Sequence, residues 1–287
     1  MKAPGWLAVV FRWFVFGNAY IALCAVVMTW STARLFTVAL PAAMLPFVFT
    51  ATLASYSLHW YLTPLAPPDF GKVAERSGWN DQYRRILLGL LVGSSGLSVW
   101  YLLGLSEYWL DLLPVVILTF LYTAPKLEQF RVLRRVAVLK TAYLAAVWTY
   151  TTAALPLLVA TPPARLSLTV WVAWLLNRFL LIYAICLWFD YRDRADDGQA
   201  RWLTIVSMLT EPQINRFFGG IVLFFTTTAV ALYVAGVRAW AVFCLSVPML
   251  LLVLTARRIT NQSSEYGYYV YLDGLMMLSG LLLFLLT

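Results

Sequence analysis

Charged side chains are scarce in this chain of 287 residues: Asp, Glu, Lys and Arg make up only 12% of it, and 62% is hydrophobic. Soluble domains carry roughly 25% charged and 45–50% apolar residues. So few charges cannot cover the surface of a water-soluble body of this length, which excludes a soluble enzyme, a disordered chain and a nucleic-acid-binding protein. The composition predicts an integral membrane protein, on which the net charge of +8 reports topology and contact with anionic lipid.

Cysteine and histidine are also rare, with three cysteines and one histidine in the chain. Cys24, Cys186 and Cys244 each lie within an apolar run and form no CxxC pair. The sequence therefore supports neither a disulfide framework nor a zinc site, and we interpret the three residues as small buried apolar groups. Glycine-rich phosphate loops, HExxH and nucleophile elbows are absent as well, so none of the chemistries that these motifs carry is supported.

Nine apolar runs approach or exceed the length of about 20 residues that a helix needs to cross a bilayer. They lie at 6–28, 35–62, 86–105, 109–123, 138–160, 168–190, 217–236, 239–256 and 266–286. The fourth run is short and follows the third after a three-residue link, so eight is the alternative count. Because nine spans leave no room for a soluble domain, the sequence predicts an all-α, polytopic helical membrane bundle that forms a single domain over residues 1–287.

The links between the runs differ in their basic residues. Links after even-numbered runs, with the helix ends beside them, hold fifteen Lys and Arg residues, whereas links after odd-numbered runs hold three: Arg34, Arg165 and Arg238. Since basic links stay in the cytoplasm, we expect a bacterial inner membrane protein with its N-terminus in the cytoplasm and its C-terminus outside. The longer links, where function concentrates, are cytoplasmic in this topology. The cytoplasmic links lie at about 63–85, 124–137, 191–216 and 257–265.

An acidic segment follows the sixth run. Asp190, Asp193 and Asp197 stand at positions i, i+3 and i+7, which at about 100° per residue places them within roughly 60° of one another on one helical face. Their mutual repulsion and their position near a helix C-terminus both favour a bound cation. Because magnesium prefers carboxylate oxygens and substrate phosphates, we predict that these three residues bind Mg²⁺ and are catalytic. The alternative is a solvated loop that neighbouring arginines neutralise.

Three features resemble the UbiA-type membrane prenyltransferases, which join isoprenoid diphosphates to aromatic or related acceptors. The segment DYRDRADDG at 190–198, with the hydrophobic stretch that begins at Arg201, looks like the second aspartate motif of that family. The segment LYTAPKL at 121–127 is similar to its Tyr-x-x-Pro-x-Leu element. A frame of nine spans with functional links in the cytoplasm completes the resemblance, which covers essentially the whole chain.

The resemblance implies Mg²⁺-dependent transfer of a prenyl group from an isoprenoid diphosphate to an aromatic or lipid acceptor, in a central pocket open to the cytoplasmic leaflet. Arg178, in the middle of a span, is expected to face the bundle interior because a charge in lipid is costly. Lys126 is the leading candidate for the diphosphate, which Lys and Arg bind through charged hydrogen bonds. The substrate residues expected are Lys126, Tyr122, Arg131, Arg134, His59, Arg178, Asn18 and Arg201.

One motif of the resembled family is missing. Its members carry Asn-Asp-x-x-Asp-x-x-x-Asp where the second span meets the cytoplasm, and this chain reads SYSLHWYL at 55–62, which includes its single histidine, His59. Two alternatives to catalysis therefore stay open. The first is a catalytically degenerate relative that binds an isoprenoid or lipid or supports a membrane partner. The second is a small transporter, for which Arg178 and Asp273 are too few intramembrane charges.

Overall fold

The computed structural model is all-helical, as the composition predicts, with 86% of its described residues in helices and none in strands. The described residues are 5–63, 75–123, 140–200, 204–256 and 265–286, with the backbone alone at 77, 120–123, 140, 193–200 and 265–267. Helices suit a bilayer because hydrogen bonds within the helix satisfy the backbone N–H and C=O groups where no water is present.

The described ranges contain thirteen α-helices. They are α1 (Trp6–Phe16), α2 (Ala19–Leu35), α3 (Met44–Tyr61), α4 (Glu75–Gln82), α5 (Arg84–Leu103), α6 (Trp109–Thr123), α7 (Lys140–Thr149), α8 (Leu155–Leu158), α9 (Leu168–Ala200), α10 (Ile205–Met208), α11 (Glu211–Val234), α12 (Ala239–Thr255) and α13 (Glu265–Leu286). A 3₁₀ turn, Ser106–Tyr108, precedes α6, and a π-helical turn, Tyr150–Ala154, joins α7 to α8.

Four of these helices contain a stretch long and apolar enough to cross a membrane. They are α5, α9 over Leu168–Arg192, α11, and α13 over Tyr268–Leu286. The pair α1 and α2 adds a fifth span when it is taken as one bent unit. Helices at the other predicted positions are shorter, interrupted or more polar, with 17 residues in α12 and 15 in α6. The structure thus shows four or five long apolar helices, and the count of nine stays a prediction.

The first predicted span, 6–28, is bent rather than straight. Helices α1 and α2 meet at an angle of 64°, and Asn18 between them has a φ of 68°, a left-handed conformation that asparagine tolerates better than most residues. A Cβ on Gly17 would lie 2.4 Å from the carbonyl oxygen of Trp13, so this end of α1 requires glycine. The bend leaves the Asn18 side chain fully buried.

Helix α9 is the central helix of the bundle. It packs against α7, α11, α12 and α13, and its residues Leu181, Ile182 and Ile185 are completely buried. Large apolar side chains also cover much of the surface: Trp100 and Val234, for example, are largely exposed. Such a surface is unfavourable in water and suits contact with acyl chains, in agreement with a membrane protein.

The bundle has two ends, which we name after one residue each. At the Asp190 end, α3 and α9 end while α7 and α13 begin, and at the Arg34 end, α2, α11 and α13 end while α9 and α12 begin. The links predicted to be cytoplasmic connect helix termini that lie at the Asp190 end. Each end contains a cavity, and the two differ in their lining.

Candidate functional site

A cavity of about 180 Å³ lies at the Asp190 end, between α3, α4, α7, α9 and α13. Its polar lining comes from His59, Arg76, Thr141, Asp190 and Asp273. Its aromatic lining comes from Tyr56, Trp60, Trp148, Phe189 and Tyr269. An apolar cavity onto which a few polar groups converge is the usual form of a small-molecule site. This cavity is therefore the candidate functional site.

Asp190 is the predicted metal ligand whose side chain the structure describes. It is half-buried on α9 and accepts a hydrogen bond from the hydroxyl of Thr141 at the start of α7. Helix α9 continues to Ala200, so Asp193 and Asp197 belong to the same helix, as their spacing requires. The side chains of those two residues lie outside the described part, and the three-carboxylate cluster stays a prediction.

A second carboxylate, Asp273, reaches the cavity from α13. It is half-buried, and Arg76 and Arg192 interact with it electrostatically. Sequence reasoning considered this residue only for a transporter. The signal that could have found it is an acid inside the apolar run 266–286, because an ionisable residue within a span marks a functional site by default.

Arg76 is the other lining residue that sequence reasoning missed. Its side chain is 4% exposed, and its guanidinium carbon lies 4.1 Å from the ring centroid of Trp60 and 4.5 Å from that of Tyr269. These distances are typical of cation–π contacts. Its Nη2 atom also donates a hydrogen bond of 2.6 Å to Oδ1 of Asn18. Arg76 therefore belongs to the cavity wall. Its position in a basic link predicts instead a solvent-exposed arginine that only marks the cytoplasmic side.

The short helix α4 carries Arg76 into the bundle, where its contacts with α1 hold it. Trp79 is buried, with its ring centroid 4.8 Å from that of Trp13 in an edge-to-face arrangement and 5.7 Å from that of Phe16. Glu75, at the first position of α4, forms an ion pair with Arg12 on α1. These contacts with α1 fix α4 at the cavity.

Asn18 lies behind Arg76 and is not among the residues that line the cavity. Its Nδ2 atom donates to the hydroxyl of Ser57 at 3.4 Å, while its Oδ1 atom accepts from Arg76. Ser57 is fully buried and belongs to the stretch 55–62, where the resembled family carries its first aspartate motif. The neutral serine is thus connected through Asn18 to a buried cation, and Asn18 orients Arg76.

His59 lies in the cavity, together with Asp190 and Arg76. Its ring meets that of Trp60 edge-to-face, with 5.7 Å between centroids. On the neighbouring turn of α3, the hydroxyl of Tyr56 accepts a hydrogen bond of 3.1 Å from the indole of Trp148. The imidazole thus stands where it could accept a proton from a bound molecule.

Arg178 faces the bundle interior, as expected, but lies away from this cavity. It is 3% exposed and donates to Asn177 Oδ1, to the hydroxyl of Ser279 at 3.1 Å and to the carbonyl oxygen of Leu245 at 3.2 Å. Its guanidinium carbon also lies 5.1 Å from the ring centroid of Trp174. These neutral partners connect α9 to α12 and α13, so the geometry of Arg178 is that of a structural cross-link.

The remaining predicted substrate residues cannot be placed in the cavity. Lys126, Arg131, Arg134 and Arg201 lie outside the described residues, and Tyr122 is described by its backbone alone, at the end of α6. Among the side chains that the structure describes, no three carboxylate, imidazole or thiol groups are placed to hold a metal ion. The carboxylates of Asp190 and Asp273 nevertheless provide the hard oxygen donors that Mg²⁺ prefers.

Comparisons of the chain with protein-family models, with curated proteins and with solved structures gave no match. The cavity itself combines two carboxylates, a guanidinium and an imidazole inside a wall of aromatic rings. Such a site can bind an anionic head through Arg76 or through a carboxylate-bound metal ion. The rings can bind an apolar or cationic group beside that head.

Proposed function

We propose that the protein is a UbiA-like prenyltransferase that transfers a prenyl group from an isoprenoid diphosphate to an aromatic or lipid acceptor. The observation that carries the proposal is that Asp190, His59 and Arg76 line one aromatic-walled cavity. We further propose nine spans in the bacterial inner membrane, with the N-terminus and the Asp190 end in the cytoplasm. The distribution of basic residues along the chain supports this topology.

The reaction breaks the bond between the allylic carbon and the diphosphate oxygen, so negative charge grows on the leaving group. Arg76 is positioned to stabilise this charge, because a buried guanidinium acts in a low-dielectric environment. Magnesium, when bound, supplies further positive charge to the diphosphate oxygens. Asp190 would hold it, together with Asp193 and Asp197 on the same helix.

The prenyl carbon gains positive charge as the diphosphate leaves. Because Arg76 lies over the rings of Trp60 and Tyr269, we propose the other lining rings, those of Tyr56, Trp148 and Phe189, for the allylic cation. A new bond then forms between that carbon and the acceptor, which loses a proton. His59 and Asp273 are the cavity groups that can take this proton.

The alternative function is binding of an isoprenoid or lipid without turnover. It is favoured by the neutral stretch 55–62, because the first acidic cluster of the resembled family is missing there.

Diphosphate release from a radiolabelled isoprenoid diphosphate, measured on the purified protein with Mg²⁺, distinguishes the two functions. We expect release by the unaltered protein and a loss of at least about 100-fold in Asp190→Asn, because charge stabilisation is typically the largest catalytic contribution. Asp111→Asn is the matched control, since Asp111 does not line the cavity. Binding without release by the unaltered protein would establish the alternative, and full activity in Asp190→Asn would remove Asp190 from the mechanism.

A further inference from the structure

A second and larger cavity lies at the Arg34 end. Its volume is about 500 Å³, and it is formed by the end of α2, the start of α9, the turn between α11 and α12, and the end of α13. None of its lining residues takes part in the proposed reaction, so its chemistry calls for a separate explanation.

Two arginines, Arg34 and Arg238, line this cavity, and both are exposed. They are two of only three basic residues in the links after odd-numbered runs. The tendency of basic residues to stay in the cytoplasm does not explain the position of these two arginines, because the Arg34 end is the end at which the links hold few basic residues. Among the described side chains, neither arginine has an acidic partner. The cavity therefore carries two positive charges that face the surroundings.

Apart from the two arginines, the wall of the cavity is largely apolar. Phe36, Val170, Trp240 and Leu283 all line it, and they come from four different parts of the chain. A site that combines cationic groups with an apolar wall matches a molecule with an anionic head and a hydrocarbon tail. In a membrane, the abundant molecules of that kind are anionic phospholipids.

The helix ends around the cavity do not need the arginine side chains as caps, and the guanidinium carbon of Arg34 lies 5.8 Å from the ring centroid of Trp30. At the end of α2, the amides of Thr37 and Val38 donate to carbonyls of the last turn at 3.2 and 2.9 Å, and Thr37 has a φ of 52°. At the end of α11, the amides of Gly236 and Val237 donate in the same pattern at 3.0 Å, and Gly236 has a φ of 96°. Both ends are Schellman motifs, so backbone amides already satisfy carbonyls that arginines would otherwise bind.

We propose that this cavity binds an anionic phospholipid, with its phosphate between Arg34 and Arg238 and one acyl chain against the apolar wall. The guanidinium group suits phosphate because its forked donors form two parallel charged hydrogen bonds. A volume of about 500 Å³ accommodates the head and the first part of a chain, while the rest of the chain continues along the lipid-facing surface.

Lipid retention, measured by native mass spectrometry after delipidation and exposure to equal amounts of phosphatidylglycerol and phosphatidylcholine, tests the proposal. We expect the unaltered protein to prefer phosphatidylglycerol, and the double variant Arg34→Gln with Arg238→Gln to lose this preference by at least about tenfold. Arg216→Gln is the matched control, since Arg216 is also exposed but lies at the start of α11, at the opposite end. A preference that survives in the double variant, or falls equally in the control, would overturn the proposal.

A second measurement does not depend on the arginine variants. Trp240 lines the cavity, so phosphatidylglycerol with brominated acyl chains should quench its fluorescence, and Trp240→Phe should remove that part of the quenching. Equal quenching by brominated phosphatidylcholine would contradict recognition of the anionic head. Displacement of the bound lipid by inorganic phosphate alone would show that the site takes a free anion, and would overturn the assignment to a lipid.

Discussion

The two cavities place their charges in opposite ways. At the Asp190 end, Arg76 is buried among aromatic rings and shares a cavity of about 180 Å³ with Asp190 and Asp273. At the Arg34 end, Arg34 and Arg238 are exposed beside a cavity of about 500 Å³, with no acidic partner among the described side chains. Charges of both signs thus line one cavity, whereas the charged residues that line the other are arginines alone.

This difference separates the chemistry that the two ends can support. Buried charges are costly unless they are paired or bound to a ligand, so opposite charges in a small cavity suit the stabilisation of a reacting group. Exposed arginines of one sign cost little and attract anions from the membrane surface. This difference is the reason that we propose the reaction for the Asp190 end and lipid binding for the Arg34 end.

Removal of magnesium should have the largest effect and should act at one end alone. We expect a chelator to abolish diphosphate release, because carboxylates without a cation repel the diphosphate, and we expect added Mg²⁺ to restore release. The preference for phosphatidylglycerol should be unchanged, since arginine binds phosphate without a metal. Release that persists in the chelator would contradict the metal-dependent mechanism.

Replacement of Arg76 sharpens the comparison further. We expect Arg76→Met to lower diphosphate release by about 100-fold, since it removes the buried cation nearest the aromatic wall. Arg84→Met is the matched control, because Arg84 also lies over a ring, that of Tyr61 at 4.9 Å, but is exposed and outside the cavity. Similar losses in both variants would mean that Arg76 has no special role.

The helical class and part of the site could be predicted from the sequence. Apolar runs of about 20 residues predict helices, which satisfy their own backbone hydrogen bonds in a bilayer. The spacing of Asp190, Asp193 and Asp197 predicts a helix that continues past the span, as α9 does. The sequence predicts His59 as a substrate residue; the structure places it in the cavity, and its role stays a prediction. Arg178 was expected inside the bundle because a lone charge in lipid is costly.

Tertiary packing explains why other site residues were missed. Arg76 belongs to a basic link, so the sequence predicts that it marks the cytoplasmic side. Only the contacts of α4 with α1 and α13 place its side chain inside the bundle. Asp273 is identifiable as an interior acid, but no local pattern says which cavity it joins. The bend at Gly17 and Asn18 has a sequence signal, a Gly-Asn pair within an apolar run, yet its consequence for Arg76 depends on the three-dimensional arrangement.

Arg178 lies between the two ends, and its replacement tests whether they are independent. We expect Arg178→Met to lower the free energy of unfolding by about 2–3 kcal/mol, because several buried hydrogen bonds are lost. Ser279→Ala, which removes one of those bonds, should cost about 1 kcal/mol. Unfolding in detergent measures both. If either variant also changed lipid preference and diphosphate release together, the two ends would be coupled through this cross-link.

Asn18 provides the finest test of the Asp190 end, because it orients Arg76 without lining the cavity. Asn18→Gly keeps a residue that tolerates the φ of 68° but removes the side-chain amide that binds Arg76. We therefore expect diphosphate release to fall about tenfold, because Arg76 is misplaced. Asn18→Ala should lose the same activity and about 1 kcal/mol more stability, since alanine is strained in this conformation. Release and thermal unfolding, measured on both variants, separate orientation from backbone strain. Full activity in Asn18→Gly would show that the aromatic rings alone hold Arg76 in place.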